Sequence, residues 1–157
     1  MKKYVRILLW ILVLAWMAVI FSFSTENAEE SSATSAAVIR RLLAVFDRGF
    51  SSLTPAEQFE RMEAWSFAVR KTAHFTAFAI LGLLSSAALS LDLSPRRAFP
   101  AALLLGALYA VSDEVHQFFV PGRACQLRDV LIDTAGVVTS LLLLFLLRKI
   151  LRRGRAE

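Results

Sequence analysis

The sequence predicts an all-α, polytopic membrane protein: a four-transmembrane-helix bundle with one or two amphipathic helices on its extracytoplasmic surface. Three observations carry that expectation. Hydrophobic residues make up 57% of the 157-residue chain and charged residues only 20%, with a mean hydropathy of +0.57. A soluble domain with this much apolar surface would need more charge to cover it. The apolar residues also fall in four blocks, each close to the roughly 20 residues a helix needs to cross the hydrocarbon core. Finally, the blocks show no alternation of apolar and polar residues, and lipid demands backbones satisfied within the segment, so helices are the only spanning element that fits. The length implies one domain, residues 1–157.

The first span covers about residues 4–23; Ile7 to Phe21 contains only apolar types. A basic start before an apolar stretch also describes a secretory signal peptide. The length of the stretch, Trp10 and Trp16 within it, and Phe21-Ser22-Phe23-Ser24 in place of a small-residue cleavage site favour a retained helix. Segment 24–70 follows. Ala37, Val38, Leu42, Val45 and Phe46 recur near helical spacing within 31–48. Thr54-Pro55-Ala56-Glu57 then reads as a helix start: a cap, proline at the first position, and glutamate three residues after the cap. Phe59, Met62, Trp65 or Ser66, and Val69 continue it into the second span, about 71–91. The two amphipathic stretches are expected to lie on the membrane surface, as a lid or as interfacial anchors. Spans three and four cover about 98–119 and 128–147.

Charge sets the topology. Lys2, Lys3, Arg6, Arg96, Arg97, Arg148, Lys149, Arg152, Arg153 and Arg155 share one side with Asp92 and Glu157, a net of +8. The opposite side carries eight basic and eleven acidic residues, a net of −3. The positive-inside rule then puts both termini and the 92–97 turn in the cytoplasm and segments 24–70 and 120–128 outside. The same clustering beside apolar blocks explains the pI near 10 without nucleic acid, which is not an expected partner. A lone Cys125 forms no internal disulfide and says nothing of redox compartment.

Ionisable residues inside spans cost about 2.5–3.5 kcal/mol each at the bilayer centre, so their positions carry information. At 100° per residue, Asp113, Glu114 and Gln117 fall within one 100° arc of span three, with His116 at its edge. Gly106 and Ala110 continue the Asp113 stripe, as close helix packing requires. Asp129, Asp133, Gly136 and Ser140 share a face of span four, and Lys71, His74, Phe78, Gly82 and Ser85 share a face of span two, with Arg70 beside them. Lipid is the worst environment for these faces, so they are expected to face one another. All the charges lie within about 10 Å of the outer interface by helical rise. One compact ligand-binding site is therefore expected from Arg70, Lys71, His74, Asp113, Glu114, Gln117, Arg123, Asp129 and Asp133. If it does chemistry, Glu114, His74 and Asp113 are the catalytic candidates. Ser22 and Ser24 end span one nearby, but sequence does not place them in the site. His74 and the carboxylates are metal-type donors. No spaced metal signature accompanies them, and neither a metal nor another cofactor is expected. Nucleophile-elbow and phosphate-loop motifs are absent. The competing reading of the cluster is a structural network of mutually neutralising ions.

Three stretches carry a resemblance. Arg70-Lys71-Thr72-Ala73-His74-Phe75-Thr76 followed by Ile80-Leu81-Gly82, then Asp113 through Arg123 (Asp-Glu-Val-His-Gln-Phe-Phe-Val-Pro-Gly-Arg), then Asp129 through Gly136 (Asp-Val-Leu-Ile-Asp-Thr-Ala-Gly) resemble signatures of the VanZ-like family. With Phe21-Ser22-Phe23-Ser24, the match runs in order over about residues 20–147. The resemblance implies a small integral protein of the bacterial cytoplasmic membrane, in a family whose namesake is associated with resistance to the glycopeptide teicoplanin. Its motif positions fall on Lys71, His74, Asp113, Glu114, Gln117, Arg123, Asp129, Asp133 and Gly136. This chain departs from the pattern twice: Ala77-Phe78 stands where many members have Glu-Tyr, and Asp133 where many have asparagine. The first removes a carboxylate one turn from His74, and the second adds one elsewhere.

Three function classes stay open. One is an outer-face module that binds or shields a lipid-linked wall precursor or a glycopeptide antibiotic. Another is a membrane enzyme acting on a lipid or envelope substrate, with Glu114 or His74 as general base. The last is a scaffold whose charges pair structurally. Membrane lipids are expected partners in all three.

Overall fold

A computed structural model describes residues 2–153. Among these residues the fold is all helical: α1 (Lys2–Ser24), α2 (Ala28–Phe46), a 3-10 turn (Phe50–Ser52), α3 (Pro55–Leu89), α4 (Pro95–Gln117) and α5 (Leu127–Arg153). Four of these, α1, α3, α4 and α5, are long and apolar enough to cross a membrane. Arg155 and Glu157, counted above on the basic side, lie outside the described residues.

Small residues set the packing. α5 lies against α3 and α4, where Gly82 of α3 and Gly106 of α4 both face Val137. A Cβ at Gly82 would sit 2.6 Å from Ser140 Oγ, and one at Gly106 2.6 Å from a Val137 methyl. Gly136 goes further, because a Cβ there would run into the Phe75 carbonyl of α3. The backbones of α3 and α5 therefore approach as closely as glycine allows, the arrangement membrane helices use in place of a hydrophobic drive. α1 closes the bundle against α3 and α4. Trp16 Nε1 donates to the Ala77 carbonyl at 2.8 Å and the Tyr109 hydroxyl to the Met17 carbonyl at 2.6 Å. Leu104, Leu108, Leu131, Leu142 and Leu143 are exposed around the bundle. In water such a surface would associate, whereas in lipid it is ordinary.

The ends of the bundle differ. Arg6 pairs with Asp92 in the α3–α4 turn at 2.5 Å, and Arg148 of α5 lies over the Phe99 ring of α4. At the opposite end, Ser24 meets Asp113 and Lys71 meets Asp129. Arg6 and Ser24 are separated by about 27 Å of α1, from the 1.5 Å rise per residue, close to the roughly 30 Å of a hydrocarbon core. The chain thus starts and finishes its four traverses at the Arg6 end.

The surface helices differ from the sequence expectation in two ways. α2 starts at Ala28 rather than near residue 31, because Asn27 and Glu30 form a reciprocal capping box. Its packed side is Ile39 and Leu43, which join Phe50 and Met62, while the stripe of Val38, Leu42, Val45 and Phe46 stays exposed. The helix is apolar over two adjoining arcs, one serving α3 and the other left for the membrane interface. The expected start at Thr54 is present, with Thr54 and Glu57 capping each other. It opens no separate surface helix, however. α3 runs 35 residues without a break, about 52 Å, so some 20 Å extends past the hydrocarbon thickness. Phe59 and Trp65 on this extension are exposed, and Met62 and Val69 pack on α2.

Candidate functional site

The faces read from helical phase do converge. Asp113, Glu114, Gln117 and Asp133 are all buried, with Asp133 fully so. Their contacts divide the expected compact site into four linked parts.

The first is an anchored carboxylate. Asp113 Oδ1 accepts from Ser24 Oγ at 2.6 Å, and Oδ2 accepts from Gln117 Nε2 at 3.0 Å, one helical turn on. Gln117 is oriented in turn by Arg123, whose Nη1 donates to Gln117 Oε1 at 3.2 Å. Arg123 Nε reaches the Glu26 carbonyl at 3.2 Å, tying the α4–α5 loop to the α1–α2 loop. The loop can turn this way because Gly122 takes φ +75°, a left-handed conformation suited to glycine. A Cβ at Gly122 would also sit 2.9 Å from that of Ala28.

The second part is an ion pair, Lys71 Nζ to Asp129 Oδ2 at 2.6 Å. Both side chains are mostly buried, and Arg128 flanks Asp129 at 3.9 Å. The third is Glu114, whose Oε2 accepts the Gln126 backbone N–H at 2.8 Å while Oε1 has no protein partner. This fixes the start of α5 against the end of α4. The last is His74 with Asp133. His74 Nδ1 lies 3.6 Å from Asp133 Oδ1, and neither carboxylate oxygen of Asp133 has a hydrogen bond. One ligand atom from each of His74, Asp113 and Asp133 lies within 4.8 Å of the others.

Arg70 departs from the cluster. Among the described residues it makes neither a hydrogen bond nor an ion pair, and it lines a cavity of about 330 Å³ between α1, α2 and α3. Trp16, Ile20, Phe23, Val38, Val69 and Phe78 give this cavity apolar walls. Ser24, Glu26, Arg70, His74 and Arg123 supply its polar lining. The volume falls at the lower end of the range for small-molecule sites, about 300–1,000 Å³.

Ser24 joins the site, whereas Ser22 donates to the Ala18 carbonyl of its own helix. His116 stacks on Phe21 at 4.5 Å between ring centroids and stands outside the hydrogen-bond chain. The roles of Gln126 and Glu26 are played by backbone atoms, for which sequence carries no signal. The cavity is likewise invisible in sequence, since three helices contribute walls that look like ordinary apolar faces.

A family model described as VanZ/LLP1 matches residues 9–148, a range that takes in all the motif stretches on α1, α3, α4 and α5. The chain belongs to the VanZ/LLP1 family. It is accordingly a VanZ-like multi-pass membrane protein, and Lys71, His74, Asp113, Glu114, Gln117, Arg123, Asp129, Asp133 and Gly136, the positions to which the sequence resemblance pointed, gather at one end of its bundle. Neither the curated proteins nor the solved structures give a significant match.

Proposed function

We propose that this VanZ-like protein is a binding module of the bacterial cytoplasmic membrane that holds a lipid-linked, anionic wall precursor at its extracytoplasmic face. Both termini then lie in the cytoplasm, as the basic Arg6 end of the bundle favours under the positive-inside rule. The observation that carries the reading is the cavity between α1, α2 and α3: apolar walls, with Arg70 free of protein partners among the described residues and Arg123 also in its lining. An isoprenoid or acyl chain matches such walls, and a phosphate or pyrophosphate matches a planar guanidinium that can bond bidentately. α2 lines the same cavity with buried Ser35 and with Thr34 and Val38 from its exposed side, which suits a ligand entering from the membrane interface. Holding the precursor would alter a glycopeptide's access to it, the route to teicoplanin-type resistance.

The test uses full-length protein in nanodiscs containing the lipid-linked precursor, followed by native mass spectrometry. Wild type is expected to retain the precursor, with Arg70→Ala and Arg123→Ala losing most of it. The same substitutions are expected to abolish any shift in teicoplanin susceptibility at equal expression. Unchanged retention and susceptibility in both variants would sink the proposal.

One observation favours a second reading, a membrane enzyme acting on an envelope lipid. Glu114 Oε1 is buried without a partner, and Asp133 is likewise unsatisfied beside His74, so proton-transfer groups stand unspent near the cavity. It requires a new lipid or wall product in membranes overproducing wild type but not Glu114→Ala. Identical envelopes by mass spectrometry exclude it.

A further inference from the structure

A buried aspartate is expected to find donors, because an ionised carboxylate without them is expensive in a low-dielectric interior. Asp133 is 0% exposed, yet both its oxygens lack a hydrogen bond. Its one polar neighbour of opposite potential charge is His74, with Nδ1 3.6 Å from Oδ1. Lys71 does not relieve it, since the Lys71 ammonium is held by Asp129 at 2.6 Å. Asp113, 3% exposed, brings a carboxylate oxygen within 4.8 Å of a donor atom of each of the other two. Two carboxylates and an imidazole from three different helices therefore converge, and the protein supplies fewer donors than they can accept from.

We propose that His74, Asp113 and Asp133 form a binding site for one divalent transition-metal ion of the Zn²⁺ type. Charge supports it first: a divalent cation balances the two carboxylates and leaves the imidazole neutral, the form in which histidine ligates. Geometry agrees. Ligands about 2.1 Å from a tetrahedral ion stand roughly 3.4 Å apart, against 3.6 Å for His74 Nδ1 and Asp133 Oδ1. Asp113 needs an inward adjustment on the order of 1 Å, given the 4.8 Å envelope of the three donors. The donor set of one nitrogen and two oxygens separates this class from Ca²⁺ and Mg²⁺, which prefer all-oxygen shells.

The surroundings are those of a supported ligand. Ser24 and Gln117 donate to the two oxygens of Asp113 and fix its orientation, with Arg123 behind Gln117. Three protein ligands leave a fourth position for water or substrate, as in catalytic rather than structural zinc sites. His74 also lines the cavity, which gives the ion an entry path. The site goes beyond lipid binding and does not depend on it. No spacing signature could reveal it, because each helix supplies one ligand.

The experiment takes full-length protein in detergent, strips it with a chelator, and titrates ZnCl₂ by calorimetry, with no precursor lipid added. Co²⁺ serves as the spectroscopic probe of a tetrahedral site. Wild type is expected to bind one equivalent of Zn²⁺ and to give the strong visible Co²⁺ bands of four-coordination. Asp133→Asn and His74→Ala are expected to weaken Zn²⁺ binding by about 100-fold or more, and Ser24→Ala by about 10-fold through loss of ligand orientation. Asp133→Asn replaces an unpaired buried charge by a neutral isostere, so its metal-free helical circular dichroism should match wild type and separate lost binding from lost fold. Arg70→Ala should leave Zn²⁺ binding unchanged, which keeps this site distinguishable from the lipid reading. The proposal is overturned by wild type showing no saturable Zn²⁺ binding, by Asp133→Asn binding as tightly as wild type, or by Ca²⁺ or Mg²⁺ binding as tightly as Zn²⁺.

Discussion

Ser24, the last residue of α1, donates a 2.6 Å hydrogen bond to Asp113 across 89 positions of sequence, and both residues are buried. This bond joins α1, which contributes no ionisable group to the site, to α4, which contributes Asp113 and Glu114. Ser24→Ala strands one oxygen of a buried carboxylate, a loss of about 1–3 kcal/mol. The thermal midpoint of the detergent-solubilised protein is expected to fall by several degrees. Ser22→Ala, two residues earlier, serves as the control: its hydroxyl is exposed and bonds only the Ala18 carbonyl, so the midpoint should stay put. Equal effects at the two serines would show that the α1–α4 bond does not hold the site.

Gly136 is expected to be the least replaceable glycine of the bundle. A methyl group there meets the Phe75 carbonyl and lies 3.2 Å from the Ala79 nitrogen, backbone atoms that cannot swing aside. At Gly106 the obstacle is a Val137 methyl, and at Gly82 the closest atom is the Ser140 hydroxyl, though Val137 Cα follows at 3.2 Å. Overpacking costs about 1–3 kcal/mol where side chains can yield, and more where backbones must part. Alanine substitutions should therefore destabilise in the order Gly136, then Gly82, then Gly106. Gly49→Ala should be silent, since its new Cβ would find only Asp47 Oδ1 at 3.6 Å. Monodisperse yield and thermal midpoint together rank the four, and a tolerated Gly136→Ala would mean that α3 and α5 are less closely packed.

Much of this architecture was legible in the sequence because the bilayer acts as a strong selector. Hydropathy alone marks four spans, and a 100° step per residue alone puts Asp113, Glu114 and Gln117 on a buried face. Caps were legible where they are local, as with Thr54 and Glu57; Asn27 and Glu30 follow the same spacing and locate the start of α2. Non-local choices were not legible. Val38–Leu42 and Ile39–Leu43 are equally apolar pairs, and only the position of Met62 and Phe50 decides that the second one packs. The charged stretch 57–63 lowers the hydropathy at the start of α3 but does not break its helix. The repeat from Phe59 to Val69 shows the segment leading into the second span; what it does not show is that no bend or break lets the first part lie on the membrane surface. Nor could phase alone separate Lys71–Asp129 from His74–Asp133, because phase gives the facing sides and not the height at which each pair meets.

The Lys71–Asp129 pair is the best candidate for a purely structural role among the site's charges. Each charge has its partner at 2.6 Å, and neither residue lines the cavity. Removing one member of a buried pair leaves an uncompensated charge, a loss of about 3 kcal/mol, whereas removing both is far milder. Lys71→Met should therefore destabilise more than the double variant Lys71→Met with Asp129→Asn. The double variant should also retain Zn²⁺ binding and precursor retention near wild type. A double variant that is stable but has lost both would move Lys71 and Asp129 from scaffold to ligand binding.

The sided arrangement has a direct readout at two positions on opposite ends of the bundle. Phe50 lies in the turn between α2 and α3, beyond the Lys71–Asp129 end, and Leu93 lies in the α3–α4 turn beside Asp92, which pairs with Arg6. The Arg6 end also carries Arg96, Arg97, Arg148 and Lys149, basic residues that resist translocation when they lie close to short loops. Alkaline phosphatase folds and becomes active only when exported, so a fusion after Phe50 should be active and one after Leu93 inactive. Reversal of charge tests the cause as well as the outcome. Replacing Arg96 and Arg97 by glutamate removes the basic character of the α3–α4 turn and should raise the activity of the Leu93 fusion. High activity from the Leu93 fusion in the wild-type chain, with none from the Phe50 fusion, would invert the bundle. The carboxylate cluster would then face the cytoplasm, out of reach of an extracytoplasmic wall precursor, while the metal site would stand.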